Sequence, residues 1–381
     1  MNVLSSLFFI SLSAHFLFPL LTLILMDLGF SKISTSIVLS SSMLLSAIFL
    51  PLSGSMLDRG HYSLVLVSSA LAVGLGLAGL SSNNELIIPA IFLFIIGTSS
   101  IYSGARRILE GYSNRKTIRK ASRKVYLLEN MGLGVSALLS FLLITDYRSE
   151  LILLDCISTL IFAVILVKYS KSMPRHSNNQ INSGTSSLFV MPKTTLPQVV
   201  EITGFTLLLI ALFSSFSGLQ FLFQTQPNKG YELAAIMKAT NTLVVVISSI
   251  IFLRIKSKIS QTSMLIVSSF LVFVGFLILP SNINPLGVII STSFWSIGEA
   301  IALPLISSRI IMMYDQNEPG LAVGMKDCII RVSLILAPLI AILVDFSDQW
   351  SFLSIYCSLP LVSIALWFLK GAERGESQCH A

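Results

Sequence analysis

The chain has 381 residues, of which 54% are apolar and only 11% carry a charge, and its net charge is +7. Soluble domains carry a charge on about 25% of their residues, so this composition excludes a cytosolic enzyme, a nucleic-acid-binding module and a disordered chain. It indicates a protein whose solvent is mostly lipid.

Twelve long apolar runs follow one another along the chain. A helix that crosses a membrane needs about 20 apolar residues, whereas a strand of a transmembrane barrel needs about 10 residues of alternating polarity. The unbroken runs therefore predict twelve transmembrane helices, and the first is interpreted as a retained helix because no basic segment precedes it. The runs lie at residues 3–26, 34–53, 63–81, 86–104, 125–144, 150–168, 200–223, 232–253, 263–280, 286–308, 322–344 and 351–369.

A polar segment separates the first six runs from the last six. Residues 169–199 are rich in Ser, Asn and Pro, which is typical of a tether between two folded units. We expect an N-terminal six-helix bundle over residues 1–168, a cytoplasmic linker over 169–199, and a C-terminal six-helix bundle with a short cytoplasmic tail over 200–381.

Lysines and arginines are distributed unevenly between alternate loops. If both termini lie in the cytoplasm, the inside loops and the tail hold 19 of these residues, and the outside loops hold three, Lys32, Arg148 and Lys229. Cytoplasmic loops of membrane proteins carry an excess of Lys and Arg, so both termini are predicted to be cytoplasmic. The short loops favour the inner membrane of a bacterium as the location.

The two sets of six runs share short patterns at an offset of about 200 residues. Gly97 in the fourth run precedes Arg107-Ile108, as Gly298 in the tenth run precedes Arg309-Ile310. The fifth and eleventh runs share a second such pattern. These matches indicate two related halves, and a parallel repeat of six helices is a known transporter architecture.

The loop after the second run carries the clearest motif. Gly54, Asp58, Arg59 and Gly60 stand in the sequence GSMLDRGHY, which resembles the loop signature G-x-x-x-D-R-x-G-R-R of the major facilitator superfamily, shortened by one residue between Arg59 and Gly60. The resemblance implies a cytoplasmic gating motif, in which Asp58 caps a neighbouring helix and Arg59 pairs with a carboxylate. The alternative is a plain polar turn.

Three further segments resemble the drug:proton antiporter branch of the same superfamily. They are HFLFPLLTLILMDLGFS at 15–31, GEAIALP at 298–304 and APL at 337–339, whereas the fifth run has glycines but lacks the proline that is common in exporters. The resemblance implies an all-α integral membrane protein with twelve transmembrane helices in two six-helix bundles, related by pseudo-twofold symmetry around a central cavity. Because the sequence has no GxxxxGK[ST] loop and no HExxH motif, no cofactor is expected, and a proton gradient is the predicted energy source.

Ionisable residues within apolar runs are the main candidates for that cavity, because each costs about 2.5–3.5 kcal/mol or more near the bilayer centre. At about 1.5 Å per helical residue, His15, Glu299 and Arg331 are expected near mid-membrane. Desolvation favours the protonated form of a carboxyl group and a nearby arginine favours its ionised form, so Glu299 is the candidate proton carrier. The alternative is a permanent Glu299–Arg331 ion pair that only positions helices.

Four more residues complete the predicted proton-coupling and substrate site. Lys238 and Asn241 lie together in the eighth run, and Trp295 is a predicted cavity wall. Asp327 precedes Arg331 by four residues on the same helix face, where a local ion pair is the alternative.

Together these observations favour proton-coupled export of a small amphipathic molecule, such as a drug, a siderophore or another metabolite, by a monomer in the lipid bilayer. The alternatives are a proton symporter that imports a small polar solute and a receptor that transports nothing. No nucleophile–base pair or metal-ligand cluster in the sequence supports an enzyme, and no nucleic-acid partner is expected because the basic residues lie in short loops between apolar runs.

Overall fold

The structure is a computed structural model, and it describes residues 21–80, 86–110, 118–143, 148–170, 196–226, 229–254, 259–281, 283–313 and 319–379. All regular secondary structure in these residues is helical. The first nine helices are α1 Leu21–Asp27, α2 Lys32–Asp58, α3 Tyr62–Leu80, α4 Ile87–Glu110, α5 Ile118–Leu143, α6 Arg148–Ser170, α7 Leu196–Phe213, α8 Gly218–Gln224 and α9 Gly230–Arg254. The remaining helices are α10 Gln261–Ile278, α11 Pro285–Met312, α12 Pro319–Leu343, α13 Gln349–Tyr356 and α14 Ser358–Cys379.

Each predicted apolar run contains a described helix, although residues 3–20 of the first run lie outside the described part. The seventh run forms α7 and α8, joined by a 3-10 turn over Ser214–Phe216, and the last forms α13 and α14. Among the described helices, eight segments are long and apolar enough to cross a membrane.

Short polar residues and glycines set the helix ends. Ser31 caps α2, since its hydroxyl accepts a hydrogen bond of 3.1 Å from the amide of Ser34. Asn284 caps α11 in the same way, with a bond of 2.9 Å from the amide of Gly287. These side chains satisfy backbone donors that the first helical turn leaves unpaired, which matters most where no water is available.

The packing within the two halves of the chain repeats. We call residues up to 170 the N-terminal half and residues from 196 the C-terminal half. A Cβ added at Gly97 of α4 would lie 2.5 Å from the carbonyl oxygen of Ser69 on α3. A Cβ added at Gly298 of α11 would lie 2.7 Å from the carbonyl oxygen of Ser268 on α10. Glycine therefore allows the same close helix crossing at equivalent places in both halves.

The halves meet along two pairs of helices that correspond under this repeat, α2 with α12 and α5 with α9. The hydroxyl of Ser40 on α2 donates to the carbonyl of Ile335 on α12 at 2.9 Å. At the other pair, the position of a Cβ at Gly134 on α5 is already occupied by the side chain of Thr242 on α9. Small side chains and glycine thus bring the halves into contact on both sides of the bundle.

We name the ends of the bundle after the residues at the two ends of α2, the Lys32 end and the Arg59 end. The predicted boundaries at residues 168 and 200 stay a prediction, because most of the segment between them lies outside the described residues.

Replacing Gly97 or Gly298 with alanine is expected to lower the thermal stability of the detergent-solubilised protein, since backbone on the neighbouring helix must move. Overpacking of this kind costs about 1–3 kcal/mol. Gly74→Ala is the matched control, because its Cβ would meet only the sulfur of Cys156 at an ordinary 3.8 Å. Equal melting temperatures for all three variants would contradict the close helix crossings.

Candidate functional site: a charged cavity between the halves

A cavity with about 1180 Å³ of atom-free space lies between the two halves. Its wall is lined by charged side chains of both signs, by hydroxyl and amide side chains, and by apolar side chains. The charged residues are Glu129, Glu299, Lys326, Asp327 and Arg331. The other polar residues are Thr98, Ser99, Tyr102, Ser122, Tyr126, Asn130 and Ser307. The apolar residues are Leu50, Ile95, Val125, Leu133, Phe213, Leu303, Ile330 and Leu334.

Glu299 on α11 is held by a hydrogen bond to each carboxylate oxygen. The hydroxyl of Tyr126 on α5 donates to Oε1 at 2.9 Å. The side-chain amide of Asn241 on α9 donates to Oε2 at 2.8 Å and to the hydroxyl oxygen of Ser296 at 3.0 Å. Because Tyr126 belongs to the N-terminal half and Glu299 to the C-terminal half, their hydrogen bond joins the halves within the cavity wall.

Lys238 supplies the positive charge that acts on Glu299. It lies on α9 one turn before Asn241, is buried, and interacts electrostatically with the Glu299 carboxylate. The structure therefore brings together three residues that the sequence analysis placed in one site. Among the described residues, the partners of Glu299 are Tyr126, Asn241 and Lys238 rather than Arg331, so the alternative Glu299–Arg331 ion pair is not formed in this arrangement.

A second charged group lies on α12. The ammonium group of Lys326 is 3.3 Å from Oδ1 of Asp327, and both residues are buried. Arg331, one turn further along α12, donates from Nη1 to the sulfur of Met43 on α2 at 3.0 Å. This contact also joins the two halves.

The other predicted site residues are not part of these groups. Trp295 is 1% exposed and packs in the core, with its backbone against Gly275 of α10, rather than in the cavity lining. His15 lies outside the described residues.

The predicted gating motif forms the end of α2. Gly54 is buried within the helix, Asp58 is its last residue, and Arg59 is exposed. Gly60 has a φ of +84°, and the amide that follows it donates to the carbonyl of Met56 at 3.0 Å. Glycine is favoured at this helix-ending position, which explains why it follows Arg59 directly. The latch role of the motif stays a prediction.

Contacts between the two halves are also made at the Lys32 end. Lys32 donates from Nζ to the carbonyl of Val344, just after α12, at 2.9 Å. The same ammonium group lies 5.2 Å from the ring centroid of Phe346. The cavity walls instead extend toward the Arg59 end, where Leu50 and Tyr102 line them. At the Arg59 end, Arg123 donates a hydrogen bond of 2.9 Å to the carbonyl of Phe252 and so links the two halves.

Two features of the structure were missed by the sequence analysis, one in the cavity wall and one outside it. Tyr126 was overlooked, although it shares one face of α5 with Ser122, Glu129 and Asn130, and this polar spacing of three and four residues is a readable signal. The second feature is a buried ion pair of 2.8 Å between Arg309 on α11 and Glu201 on α7. The two residues are more than 100 positions apart, so no local pattern links them.

A sequence model of the Major Facilitator Superfamily matches residues 3–338. No curated protein sequence matches the chain. The solved structure of the human organic anion transporter MFSD10 (TETRAN) is similar, with a TM-score of 0.76 at 12% identity over 96% of this chain and 97% of that one. The superfamily transporter FucP, solved in the outward conformation, is similar with a TM-score of 0.68 at 13% identity over 97% of each chain.

The chain therefore belongs to the Major Facilitator Superfamily and is an integral, multi-pass membrane transporter. This finding confirms the predicted family and the predicted all-α fold of two related six-helix bundles. It points to a transporter rather than an enzyme. The assignment to the drug:proton antiporter branch stays a prediction.

The electrostatic interaction between Lys238 and Glu299 gives a testable coupling energy. Removing one member of a buried charge pair leaves the other charge without its partner, so Lys238→Met and Glu299→Gln are each expected to lower the free energy of unfolding. The double variant is expected to lose less than the sum of the two, with a coupling of about 0.5–3 kcal/mol measured by unfolding in detergent.

Lys326→Met is the matched control, because Lys326 belongs to the other charged group on α12. Its effect is expected to add to that of Glu299→Gln. Additive losses in both cycles would show that Lys238 and Glu299 do not interact.

Proposed function

We propose that this member of the Major Facilitator Superfamily exports a small amphipathic molecule in exchange for protons, and that Glu299 carries the proton. The transporter works by alternating access as a monomer in the lipid bilayer. The proton gradient supplies the energy, and no bound cofactor takes part.

The observation that carries this proposal is the position of the Glu299 carboxylate in the cavity wall, bonded to donors from both halves. Tyr126 approaches it from the N-terminal half and Asn241 from the C-terminal half. If the halves rock apart at this point, Glu299 loses the Tyr126 donor but keeps Asn241. An ionised carboxylate accepts hydrogen bonds more strongly than a protonated one, so losing a donor favours proton uptake.

Proton binding by Glu299 is linked to the conformation of the protein by the formation and loss of the Tyr126 hydrogen bond. With the Tyr126 bond formed, Glu299 is stabilised in its ionised form and the cavity extends toward the Arg59 end. With the bond broken, Glu299 takes up a proton from the opposite side of the membrane. A ligand or proton shifts such an equilibrium only through its different affinity for the two states, and the Tyr126 bond supplies that difference.

The composition of the cavity wall supports an amphipathic substrate. Apolar side chains such as Leu133, Phe213 and Leu303 alternate with hydroxyl, amide and charged groups. Binding sites for small molecules combine an apolar lining with a few polar groups that fix orientation. The human structural neighbour is an organic anion transporter, which is a further reason to test amphipathic compounds.

We also propose a location and an orientation. The Arg59 end faces the cytoplasm, and both termini lie on that side, because the loops at this end carry most of the lysines and arginines. The short loops favour the inner membrane of a bacterium.

Import of a polar solute by proton symport is the second candidate. It is favoured by the number of polar side chains in the N-terminal half of the wall, including Thr98, Ser99, Tyr102 and Ser122. Export and import are distinguished by the direction of proton movement. In inverted vesicles that are loaded with a pH indicator and acidified inside, adding an exported substrate raises the internal pH.

Glu299→Gln is expected to abolish transport that is driven by a pH gradient while keeping substrate counterflow in proteoliposomes. Glutamine fills the same volume and still accepts the hydrogen bond from Tyr126 or Asn241, but it cannot take up a proton. Glu232→Gln is the matched control, since Glu232 is an exposed residue in the first turn of α9. Full gradient-driven transport by Glu299→Gln would exclude Glu299 as the proton carrier.

A further inference from the structure

We propose that a groove on the outer surface of the N-terminal half binds one anionic phospholipid, with an acyl chain in the groove and the phosphate group on Arg59 and His61. We call this space the α2–α3–α4 groove after the three helices that line it. The proposal adds a lipid-binding site to the molecule, and it depends neither on the central cavity nor on the proposed transport function.

The α2–α3–α4 groove is an open space with about 730 Å³ free of atoms. Helix α4 packs against both α2 and α3 and forms the floor, where Gly97 leaves room because it has no side chain. The walls run from Phe49 to Met56 on α2 and from Val65 to Ala72 on α3. Each wall is therefore about 10 Å long, which is enough for a stretch of acyl chain.

The groove opens toward the lipid of the bilayer. Its lining residues all belong to three segments that are long and apolar enough to cross a membrane, Lys32–Leu57, Tyr62–Leu80 and Ile87–Gly104. Residues beside the groove, such as Leu71 on α3, are apolar and exposed. The groove therefore lies at the depth of the hydrocarbon, in the leaflet at the Arg59 end.

The serines in the walls do not require a polar ligand. The hydroxyl of Ser53 donates to the carbonyl of Leu50 at 2.9 Å. The hydroxyls of Ser68 and Ser69 donate to the carbonyl of Val65 at 3.2 Å and 2.6 Å. Because these hydroxyls are bonded within their own helices, the groove suits a hydrocarbon chain. An empty groove would forfeit dispersion contacts along its walls, and such contacts drive packing within a membrane.

Two basic side chains stand at the mouth of the groove. Arg59 follows the wall residue Met56 by three positions, and His61 precedes the wall residue Val65 by four, so each lies about one helical turn beyond the groove. Both are exposed and lie between two membrane-spanning segments, at the level of the lipid headgroups. An arginine fork binds a phosphate group at two points, and an imidazole N–H donates a further hydrogen bond.

The charge at the mouth favours a lipid over a second copy of the chain. Two copies in one membrane have the same orientation, so copies that paired through this groove would bring their Arg59 side chains together at the same depth. Like charges repel, whereas an anionic headgroup is attracted to them. A phospholipid also matches the order of the site, with an apolar chain beside one phosphate group.

The test uses photoreactive lipids that carry a diazirine in the middle of one acyl chain, mixed in a small amount into phosphatidylcholine nanodiscs that hold the wild-type protein. After illumination, peptide mapping by mass spectrometry locates the labelled residues. Photoreactive phosphatidylglycerol is expected to label the walls of the groove more than the exposed surface of α10, the counterpart of α3. It is also expected to label the walls about fivefold more than photoreactive phosphatidylcholine, the factor that one basic side chain contributes near a membrane surface.

Two pairs of variants assign the two ends of the lipid. Ala72→Phe places a large ring in the groove and is expected to remove most of the labelling of the walls. Leu71→Phe is its matched control, because Leu71 is 57% exposed and lies outside the groove lining. Arg59→Gln is expected to bring the labelling by the two lipids close to equality. Lys124→Gln is expected to keep the preference for phosphatidylglycerol, although Lys124 is an exposed cation at the same end of the bundle.

The proposal is overturned if the walls are labelled no more than α10, if the two photoreactive lipids label them equally, or if the members of either pair of variants behave alike. A dimer in native mass spectrometry together with unlabelled walls would also overturn it, because a second copy would then cover the groove. The comparison of the two lipids uses the wild-type protein, so it decides the question even if Ala72→Phe fails to fold.

Discussion

A carboxylate inside a membrane protein is stable only if hydrogen-bond donors and a positive charge replace the water it has lost. Glu299 meets this requirement with Tyr126, Asn241 and the charge of Lys238. Two of these groups come from the C-terminal half and one comes from the N-terminal half. The relative position of the halves and the ionisation of one side chain therefore depend on each other, and the proposed coupling mechanism follows from that dependence.

The packing of the bundle suits such a mechanism. Within each half, close helix crossings at Gly97 and Gly298 hold the helices as a rigid unit. Between the halves, α2 packs along α12 and α5 along α9, and the contacts include single polar bonds, such as those of Lys32 and Ser40. Polar bonds of this kind can be exchanged for others when the halves move.

The fold and part of the site could be predicted from sequence patterns. Apolar runs, an offset repeat and the depth of Glu299 within its run can be read from the sequence alone, so they predicted the helices and a charged position beside a cavity. The partners of Glu299 and Arg331 across the interface, Tyr126 and Met43, depend on how the halves dock, and no local pattern contains that information. The prediction that Trp295 forms a cavity wall failed for a related reason. The depth of a residue within its apolar run does not show which face of the helix lines the cavity.

The most direct test of the central claim is infrared difference spectroscopy of the protein in nanodiscs between alkaline and acidic pH. We predict that acidification produces a band from a protonated carboxyl group that is absent in Glu299→Gln. We also predict that the carboxylate band lost on acidification is shifted in Tyr126→Phe, because Tyr126 donates to the ionised carboxylate. A carboxyl band that persists in Glu299→Gln, or a carboxylate band that Tyr126→Phe leaves unchanged, would contradict the proposed coupling.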